Sequence, residues 1–311
     1  DRFPEFPMRR SRLSLALFVA ALSLGACRTL PATDAATAPA TATDAPAATA
    51  AATTPADDNL NAVLWMQRAA EYRATCETVY RAAADRLDAA LKDPAWDALA
   101  PAERANPAKG LPPAVVLDVD ETVLDNSPYQ ARLVRGGGEY DETTWDAWVR
   151  EEKAQPVPGV IDFAKAATAR GITLIYISNR AEHLGPATLS NLRKVGLPVK
   201  DDSVFLGLGS FVEGCEQEGS EKLCRRQLAG RKYRVLMQFG DQLGDFAQIV
   251  ANTPEARGAL EAQYRGWFGQ RWWALPNPSY GGWEPALFNN AWSEPRDARR
   301  ASKREALNTA E

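Results

Sequence analysis

The chain has 311 residues, of which 45% are hydrophobic and 24% charged, a composition that is ordinary for a globular protein and excludes global disorder. This length suffices for one large α/β domain or two smaller ones. The formal net charge is −4 and becomes −6 without residues 1–26, which carry four arginines and two acidic residues. A mildly acidic chain lacks the basic footprint of nucleic-acid-binding proteins, so we expect no nucleic-acid partner.

The start of the chain has the pattern of an export signal. A basic segment, Met8–Arg12, precedes the apolar stretch Leu13–Leu24, whose 12 residues are too few to span a bilayer comfortably. The following Leu24-Gly25-Ala26-Cys27 resembles the lipobox of bacterial lipoproteins, in which the cysteine is lipidated and becomes the new N-terminus. The alternative is an ordinary secretory signal that is cleaved near Ala26.

Residues 28–57 consist almost entirely of Ala, Thr, Pro and Asp and cannot bury a core, which predicts a disordered, flexible tether between the signal (residues 1–27) and the folded part. The position after Cys27 is Arg28, whereas an Asp there would indicate retention at the inner membrane. We therefore expect a bacterial outer-membrane lipoprotein that faces the periplasm or the cell surface.

The folded part is predicted to begin at residue 58 and to end at residue 292. Apolar residues at three- and four-residue steps from Leu60 to Leu91 predict one long amphipathic helix. Residues 114–119 form an apolar first strand, and residues 128–157 show no sheet pattern, which favours an inserted, mostly helical cap. Further helices are predicted at 159–169, 186–195, 220–229 and 243–251, and further strands at 172–177, 203–206, 234–239 and 271–275.

Helices that alternate with strands in this way imply right-handed crossovers and a parallel sheet. The predicted fold class is α/β, with a three-layer, doubly wound parallel sheet and a small helical cap. Residues 293–311 are rich in charge, and we expect them to form a tail that frays.

The four cysteines are expected to be in different chemical states. Cys27 is the candidate for lipidation, and Cys76 lies on the apolar face of a helix, which is typical of a buried free thiol. Cys215 and Cys224 lie nine residues apart, and in an oxidising compartment they could close a disulfide or remain two thiols. No further Cys or His pattern supports a zinc site.

The first strand ends in two carboxylates, Asp118 and Asp120. Side chains alternate along a strand with period two, so both would share a face beyond its carboxyl end. Ligands bind at that edge of an open parallel sheet. Two like charges held so close need a cation or a shared proton, which suggests a magnesium-dependent enzyme with a carboxylate nucleophile.

Polar residues also stand at three later points in the alternation of helices and strands: Ser178-Asn179-Arg180, Ser220-Glu221-Lys222 and Gly240-Asp241 with Asp245. The order of Asp-x-Asp, Ser, Lys and Gly-Asp-x-x-x-Asp resembles the four motifs of the haloacid dehalogenase superfamily. The longer strings Asp118–Thr122, Asp125–Tyr129 and Tyr280–Glu284 resemble the bacterial class C acid phosphatases, which are lipoprotein 5′-nucleotidases of the outer membrane.

This resemblance implies a metal-dependent phosphomonoesterase. Asp118 would attack phosphorus and form an aspartyl-phosphate, and Asp120 would act as the general acid and then the general base. Ser178 and Lys222 would stabilise the phosphoryl oxygens. The resemblance places Mg²⁺ on Asp118, the backbone carbonyl of Asp120 and Asp241, with Asp245 close to the metal and orienting water or Lys222.

The substrates implied by the resemblance are small phosphate monoesters, in particular nucleoside 5′-monophosphates. Trp145 and Tyr280 match aromatic residues that sandwich a nucleobase in the family, although packing in the core is the alternative for both. Asn179 and Arg180 are candidate substrate-binding residues. His183, the only histidine, is interpreted as a loop residue rather than as a phosphohistidine.

Two alternative functions stay open. A phosphotransferase would use the same residues and pass the phosphoryl group to an alcohol, and a non-catalytic binding lipoprotein would lack turnover. A lipid anchor makes the membrane a further partner, and a homo-oligomer is compatible with the sequence.

Overall fold

The structure is a computed structural model that describes residues 58–310. The predicted signal and the lipidation site at Cys27, together with the predicted tether over residues 28–57, lie outside the described residues. Within residues 58–310, none of the helices combines the length and the apolar character needed to cross a membrane.

A five-stranded parallel sheet forms the centre of the structure. Its strands are β1 (Pro113–Leu117), β4 (Thr173–Ala181), β5 (Phe205–Leu208), β6 (Arg234–Gly240) and β7 (Trp272–Ala274). They lie in the order β5-β4-β1-β6-β7, and each pair of neighbours is parallel. Two short strands, β2 (Leu124–Asp125) and β3 (Gln155–Pro156), form a separate antiparallel ribbon. The predicted α/β class with a doubly wound parallel sheet is therefore confirmed.

Ten helices surround the sheet in the described part of the chain. They are α1 (Leu60–Arg68), α2 (Ala70–Lys92), α3 (Ser127–Gly136), α4 (Glu142–Glu151), α5 (Val160–Thr168), α6 (Gly185–Lys194), α7 (Leu223–Lys232), α8 (Pro254–Tyr264), α9 (Trp283–Ala286) and α10 (Arg296–Glu305). Helices α2 and α5 pack against each other and against the sheet. From β1 the chain first adds β4 and β5 on one side, and then adds β6 and β7 on the other side. Right-handed crossovers therefore place α7 on the face of the sheet opposite to α2 and α5.

Burial on both faces explains the apolar sequence of the central strand. Val115 and Leu117 of β1 have no exposed surface. On the side of α2, Tyr80 stacks on Phe239 of β6 with ring centroids 5.3 Å apart. The Tyr80 hydroxyl also donates a 2.6 Å hydrogen bond to the carbonyl of Thr122, so the core directly supports the loop that follows β1.

The prediction of one long helix from residue 60 to residue 91 is wrong, because the chain forms two helices. Ala69 interrupts them with extended backbone angles (φ −76°, ψ 131°), and its N–H closes α1 by donating to the carbonyl of Trp65. The break lets α1 pack against α3 while α2 packs against α5. Both helices thereby bury apolar faces. Because the three- and four-residue spacing of apolar residues continues across Ala69, the sequence does not reveal the break.

The predicted helix over residues 243–251 is also wrong. Only the single 3₁₀ turn Leu243–Asp245 forms there. Side chains from distant elements bind backbone N–H groups that a helix would use. The Gln248 N–H donates to the carboxylate of Glu103, and the Ile249 N–H donates to that of Glu221. Helix α8 follows instead, starting after Thr253, whose hydroxyl caps the N–H of Ala256.

The charged C-terminal segment does not fray along its whole length, because residues 296–305 form α10. Ion pairs tie this helix to distant parts of the chain. Arg300 contacts Asp58 at 2.7 Å and Arg299 contacts Glu139 at 2.8 Å. These partners are 242 and 160 positions away in sequence, so a local charge pattern could not indicate them.

The remaining cysteines differ in their surroundings. Cys215 and Cys224 are joined by a disulfide that closes the loop before α7, whereas Cys76 is a buried free thiol on α2. Lys222 lies inside the closed loop, two positions before Cys224.

We predict that the double substitution Cys215→Ala and Cys224→Ala lowers the free energy of unfolding by about 2 to 3 kcal/mol, because the unfolded chain regains the freedom of the closed loop. Urea unfolding of the oxidised proteins measures the difference. A reductant should lower the stability of the wild type by the same amount and leave that of the double variant unchanged. Equal stability of oxidised wild type and variant would contradict the prediction.

Candidate active site

The central strands bring the predicted polar residues to one edge of the sheet. Strand β1 lies between β4 and β6, and all three run in parallel. Asp118 therefore follows β1 next to Ser178 near the end of β4 and Asp241 after β6. This is the edge at which open α/β sheets bind ligands.

Lys222 forms ion pairs with two of the carboxylates that the sequence predicts at the site. Its Nζ donates to Oδ1 of Asp118 and, at 2.6 Å, to Oδ1 of Asp245. All three residues are at most 6% exposed. Burial alone would lower the pKa of Lys222, but the two carboxylates raise it above its usual value, so the ammonium keeps its charge.

Three carboxylates form a cluster that could hold a divalent metal. Oxygen atoms of Asp118, Asp241 and Asp245 all lie within 4.8 Å of one another. Burial, reinforced by the neighbouring acids, raises the pKa of Asp118 well above its usual value and that of Asp241 to about 7. A hard cation with oxygen ligands would relieve this repulsion, so the donor set fits a divalent metal.

Two residues that the sequence did not indicate hold Asp241 in place. Gln242 and Asn277 donate hydrogen bonds of 2.6 and 2.8 Å to its Oδ2. Gly240 serves the same cluster in another way, because a side chain at this position would overlap Asp245. Gln242 directly follows a motif residue in sequence, whereas Asn277 is brought in only by the return of the chain after β7.

Asp120 lies outside the carboxylate cluster. Its Oδ1 accepts hydrogen bonds from Arg180 Nε at 2.9 Å and from Asn126 Nδ2 at 2.8 Å. Its Oδ2 accepts from the Ser178 hydroxyl at 3.2 Å. The carboxylates of Asp118 and Asp120 therefore have different partners, and of Asp120 only the backbone carbonyl would be left as a metal ligand.

The predicted substrate-binding residues Asn179 and Arg180 are engaged in contacts within the protein. Arg180 is 1% exposed and pairs with Asp120. The Asn179 amide oxygen accepts a 2.8 Å hydrogen bond from Arg225. Both residues thus position neighbouring groups of the site, and Asn179 keeps an exposed surface.

Asn126 connects the site to the helical segment that follows β2. Its side-chain carbonyl accepts from the indole N–H of Trp148 on α4 at 2.8 Å. Its amide donates to Asp120, and Arg180 completes the same network. Asn126 belongs to the Asp-Asn-Ser string that carries the family resemblance, but its linking role is visible only in the structure.

The two predicted aromatic residues flank the loop after β1. Trp145 on α4 is half-buried, packs edge-on against Tyr129 at 5.1 Å and lies 5.5 Å from the guanidinium of Arg180. The hydroxyl of Tyr280 donates to the buried carboxyl of Glu121. Burial raises the pKa values of both the Glu121 and the Tyr280 group, which favours their protonated forms.

Glu121 has the backbone strain of a residue held in place by its surroundings. Its φ of 55° lies in the left-handed region, which is uncommon for a residue other than glycine. Its Oε1 accepts a 2.6 Å hydrogen bond from the N–H of Asn126. His183, predicted to have no catalytic role, is exposed and contacts Asp146 of α4 at 2.7 Å.

Comparison with known proteins identifies the family of this chain. The profile of the HAD superfamily, subfamily IIIB (acid phosphatase), matches residues 22–283. The chain belongs to this family. The predicted membership of the haloacid dehalogenase superfamily is thereby confirmed, and the solved structures described next confirm the class C acid phosphatase group.

Solved structures of this acid phosphatase family share the fold. The class C acid phosphatase from Bacillus anthracis superposes with a TM-score of 0.69 and is 32% identical, over 81% of this chain and 97% of that chain. The same protein with tungstate bound gives a TM-score of 0.68 and 33% identity over the same shares of both chains.

Curated relatives in plants match a shorter part of the chain. The Stem 31 kDa glycoprotein of Glycine max is 26% identical over 165 residues, which are 53% of this chain and 58% of that protein. Acid phosphatase 1 of Solanum lycopersicum is 24% identical over 130 residues, 42% of this chain and 50% of that protein. Vegetative storage protein 1 of Arabidopsis thaliana is 25% identical over 166 residues, 53% of this chain and 54% of that protein. The chain spans about half the length of these relatives, 50% to 58%.

We predict that Asp241→Asn abolishes stabilisation by divalent metal. At a metal concentration about 100-fold above the dissociation constant, binding adds about 2.7 kcal/mol to the wild type. This corresponds to a rise in Tm of about 5 to 10 °C, which thermal unfolding with and without Mg²⁺ measures. Without metal the variant should be at least as stable as the wild type, because one of three clustered like charges is gone.

The matched control is Asp85→Asn, which removes an exposed carboxylate of α2. It should keep the full response to metal. An equal metal-induced rise in Tm for Asp241→Asn would show that the ion binds elsewhere.

Proposed function

We propose that this chain is a metal-dependent phosphomonoesterase that hydrolyses nucleoside 5′-monophosphates and other small phosphate monoesters through an aspartyl-phosphate intermediate. The observation that carries the proposal is the unequal environment of two adjacent carboxylates. Lys222 and two further acids surround Asp118, whereas Arg180, Asn126 and Ser178 surround Asp120. Two chemical roles require two such environments.

Asp118 is suited to be the nucleophile. Lys222 holds its Oδ1, while Oδ2 has a 3.4 Å contact from the Thr122 hydroxyl. In the first step a carboxylate oxygen of Asp118 forms a bond to phosphorus, and the bond between phosphorus and the ester oxygen breaks. The Lys222 ammonium and the Ser178 hydroxyl would donate to the equatorial oxygens as their charge grows.

Asp120 is suited to move the proton. Arg180 and Asn126 fix its Oδ1, so the orientation of the carboxyl is set before substrate binds. In this role Asp120 would pass a proton to the leaving ester oxygen, which departs as an alcohol. The resulting carboxylate would then take a proton from the water that attacks phosphorus and releases phosphate from Asp118.

Mg²⁺ is the metal we propose, held by Asp118, the backbone carbonyl of Asp120 and Asp241, with Asp245 beside it. When bound, it supplies a fixed positive charge that offsets the repulsion between the phosphoryl group and the carboxylates. Lys222 contributes a further positive charge to the same group. The related Bacillus anthracis protein was solved with tungstate bound, and this tetrahedral oxyanion supports a phosphoryl site in the shared fold.

Nucleotides are the proposed substrates because two aromatic residues flank the proton-transferring loop. Trp145 is linked to Asp120 through Arg180, and Tyr280 is linked to the adjacent Glu121. A base held by these rings would lie next to the reacting phosphate. Stacking tolerates any base, which suits a nucleotidase of broad preference.

The proposed location is the outer membrane, through a lipid on Cys27. Nucleotides carry charge and cross membranes poorly, so an exported phosphatase would convert them into nucleosides that enter more readily. The proposed role is therefore nucleotide salvage outside the cytoplasm.

We predict that Asp118→Asn lowers turnover of p-nitrophenyl phosphate by at least about a thousandfold, because an amide cannot supply the attacking oxygen. Steady-state rates with Mg²⁺ measure the loss, and circular dichroism checks that the fold is intact. Asp85→Asn should retain full activity. Substantial residual turnover in Asp118→Asn would refute the nucleophile assignment.

The same assay separates the alternative functions. A wild-type protein that shows no Mg²⁺-dependent turnover would favour a binding or storage role, for which the similarity to vegetative storage proteins is the supporting observation. Transfer of the phosphoryl group to an added alcohol in preference to water would favour a phosphotransferase.

We predict that Trp145→Ala raises the KM for a nucleoside 5′-monophosphate by about tenfold, since stacking on one base contributes about 1 to 3 kcal/mol. The KM for methyl phosphate should change far less, because this substrate has no base. Trp292→Ala serves as the control, as this tryptophan is 57% exposed and packs against Phe288 near α10. An equal rise in KM for both substrates would indicate that Trp145 only supports the fold.

A further inference from the structure

Two consecutive arginines of α7, Arg225 and Arg226, are completely buried. Arg226 has a full counter-charge: its guanidinium donates to both carboxylate oxygens of Glu103 at 2.6 and 2.7 Å. Arg225 differs, because it forms no ion pair with a carboxylate within residues 58–310, and its Nε has no hydrogen-bond partner there. A buried guanidinium without a counter-charge is costly, so its retention calls for an explanation.

The acceptors of Arg225 lie on two segments of the proposed active site. Nη1 donates to the carbonyl of Ser178 at the end of β4. Nη2 donates to the Asn179 side chain at 2.8 Å and to the carbonyls of Ser220 and Glu221, both at 3.1 Å. The planar guanidinium of Arg225 therefore connects the end of β4, which carries Ser178, to the turn that precedes Lys222.

These two segments supply the proposed donors to the phosphoryl oxygens. The Ser178 hydroxyl and the Lys222 ammonium lie on different elements that share no direct backbone hydrogen bond in the described part of the chain. A planar guanidinium with donors at fixed angles is suited to hold such segments in register, whereas the flexible ammonium of a lysine is not.

The positive charge of Arg225 also favours a role at the phosphoryl site. Burial lowers its pKa to about 10, which still leaves it protonated near neutral pH, and Asp118 is the carboxylate that most opposes this shift. All of its acceptors are uncharged carbonyl oxygens. A phosphoryl dianion bound in front of Ser178 and Lys222 would add negative charge that favours the protonated guanidinium, as Asp118 already does.

We propose that Arg225 is a positioning residue of the phosphoryl site, which acts by holding the Ser178 strand end and the Lys222 turn at a fixed separation. The proposal rests on the function proposed above, because it presumes that Ser178 and Lys222 contact the phosphoryl group. Arg225 itself lies behind these residues and is not assigned a direct contact with substrate.

The test measures oxyanion binding directly and does not depend on turnover. Calorimetric titration of the Mg²⁺-loaded protein with orthophosphate, and then with tungstate, compares wild type, Arg225→Lys and Arg225→Met. We expect dissociation constants weakened by about tenfold in Arg225→Met, and by at least about threefold in Arg225→Lys, which keeps the charge but loses the fork. Arg225→Lys decides the matter if Arg225→Met does not fold.

Arg104 provides the matched control at the other end of α7. It contacts the carbonyls of Gly230 and Tyr233 and pairs with Asp97, so its loss also removes several hydrogen bonds from this helix. We expect Arg104→Lys and Arg104→Met to lower the Tm and to leave both oxyanion dissociation constants within about twofold of the wild type.

Three outcomes are distinguishable. Oxyanion affinities within about twofold of wild type in Arg225→Lys would overturn the proposal, as would equal weakening in the Arg104 variants. Loss of affinity confined to the Arg225 variants would support it. A wild-type protein that binds neither anion and hydrolyses no phosphate ester would instead refute the proposed function itself.

Discussion

The repulsion between buried carboxylates is the constraint on which the site depends. Asp118, Asp241 and Asp245 meet at one edge of the sheet, where burial raises the pKa values of Asp118 and Asp241. Lys222 is the cation that the chain supplies against this repulsion. Its single charge cannot balance three carboxylates, and a divalent metal would complete the balance.

The cationic side chains that face the carboxylates of the site come from elements that are distant in sequence. Lys222 directly precedes α7, and Arg180 lies one residue before the end of β4, yet both reach carboxylates of the loop after β1. The parallel sheet makes this possible, since it brings the carboxyl ends of its strands to one edge. Tyr80 then supports the same loop from the core, through the carbonyl of Thr122.

Local patterns predicted most strands and helices because burial imposes the same periodicity in sequence and in structure. Two of the errors share a physical cause. A helix over residues 243–251 is locally plausible, but Glu103 and Glu221 take the N–H groups that would have closed it. The break at Ala69 leaves the apolar periodicity intact, so only the packing of α1 against α3 reveals it.

The sequence by itself determined the alternation of strands and helices, the family and the residues proposed to carry the chemistry, because strand ends and motif spacing are local properties. Only the tertiary structure decided which partner each residue has. It assigned Arg180 to Asp120, Asn277 to Asp241 and Arg225 to the segments that carry Ser178 and Lys222. These contacts depend on long-range folding of the chain, which no pattern of neighbouring residues records.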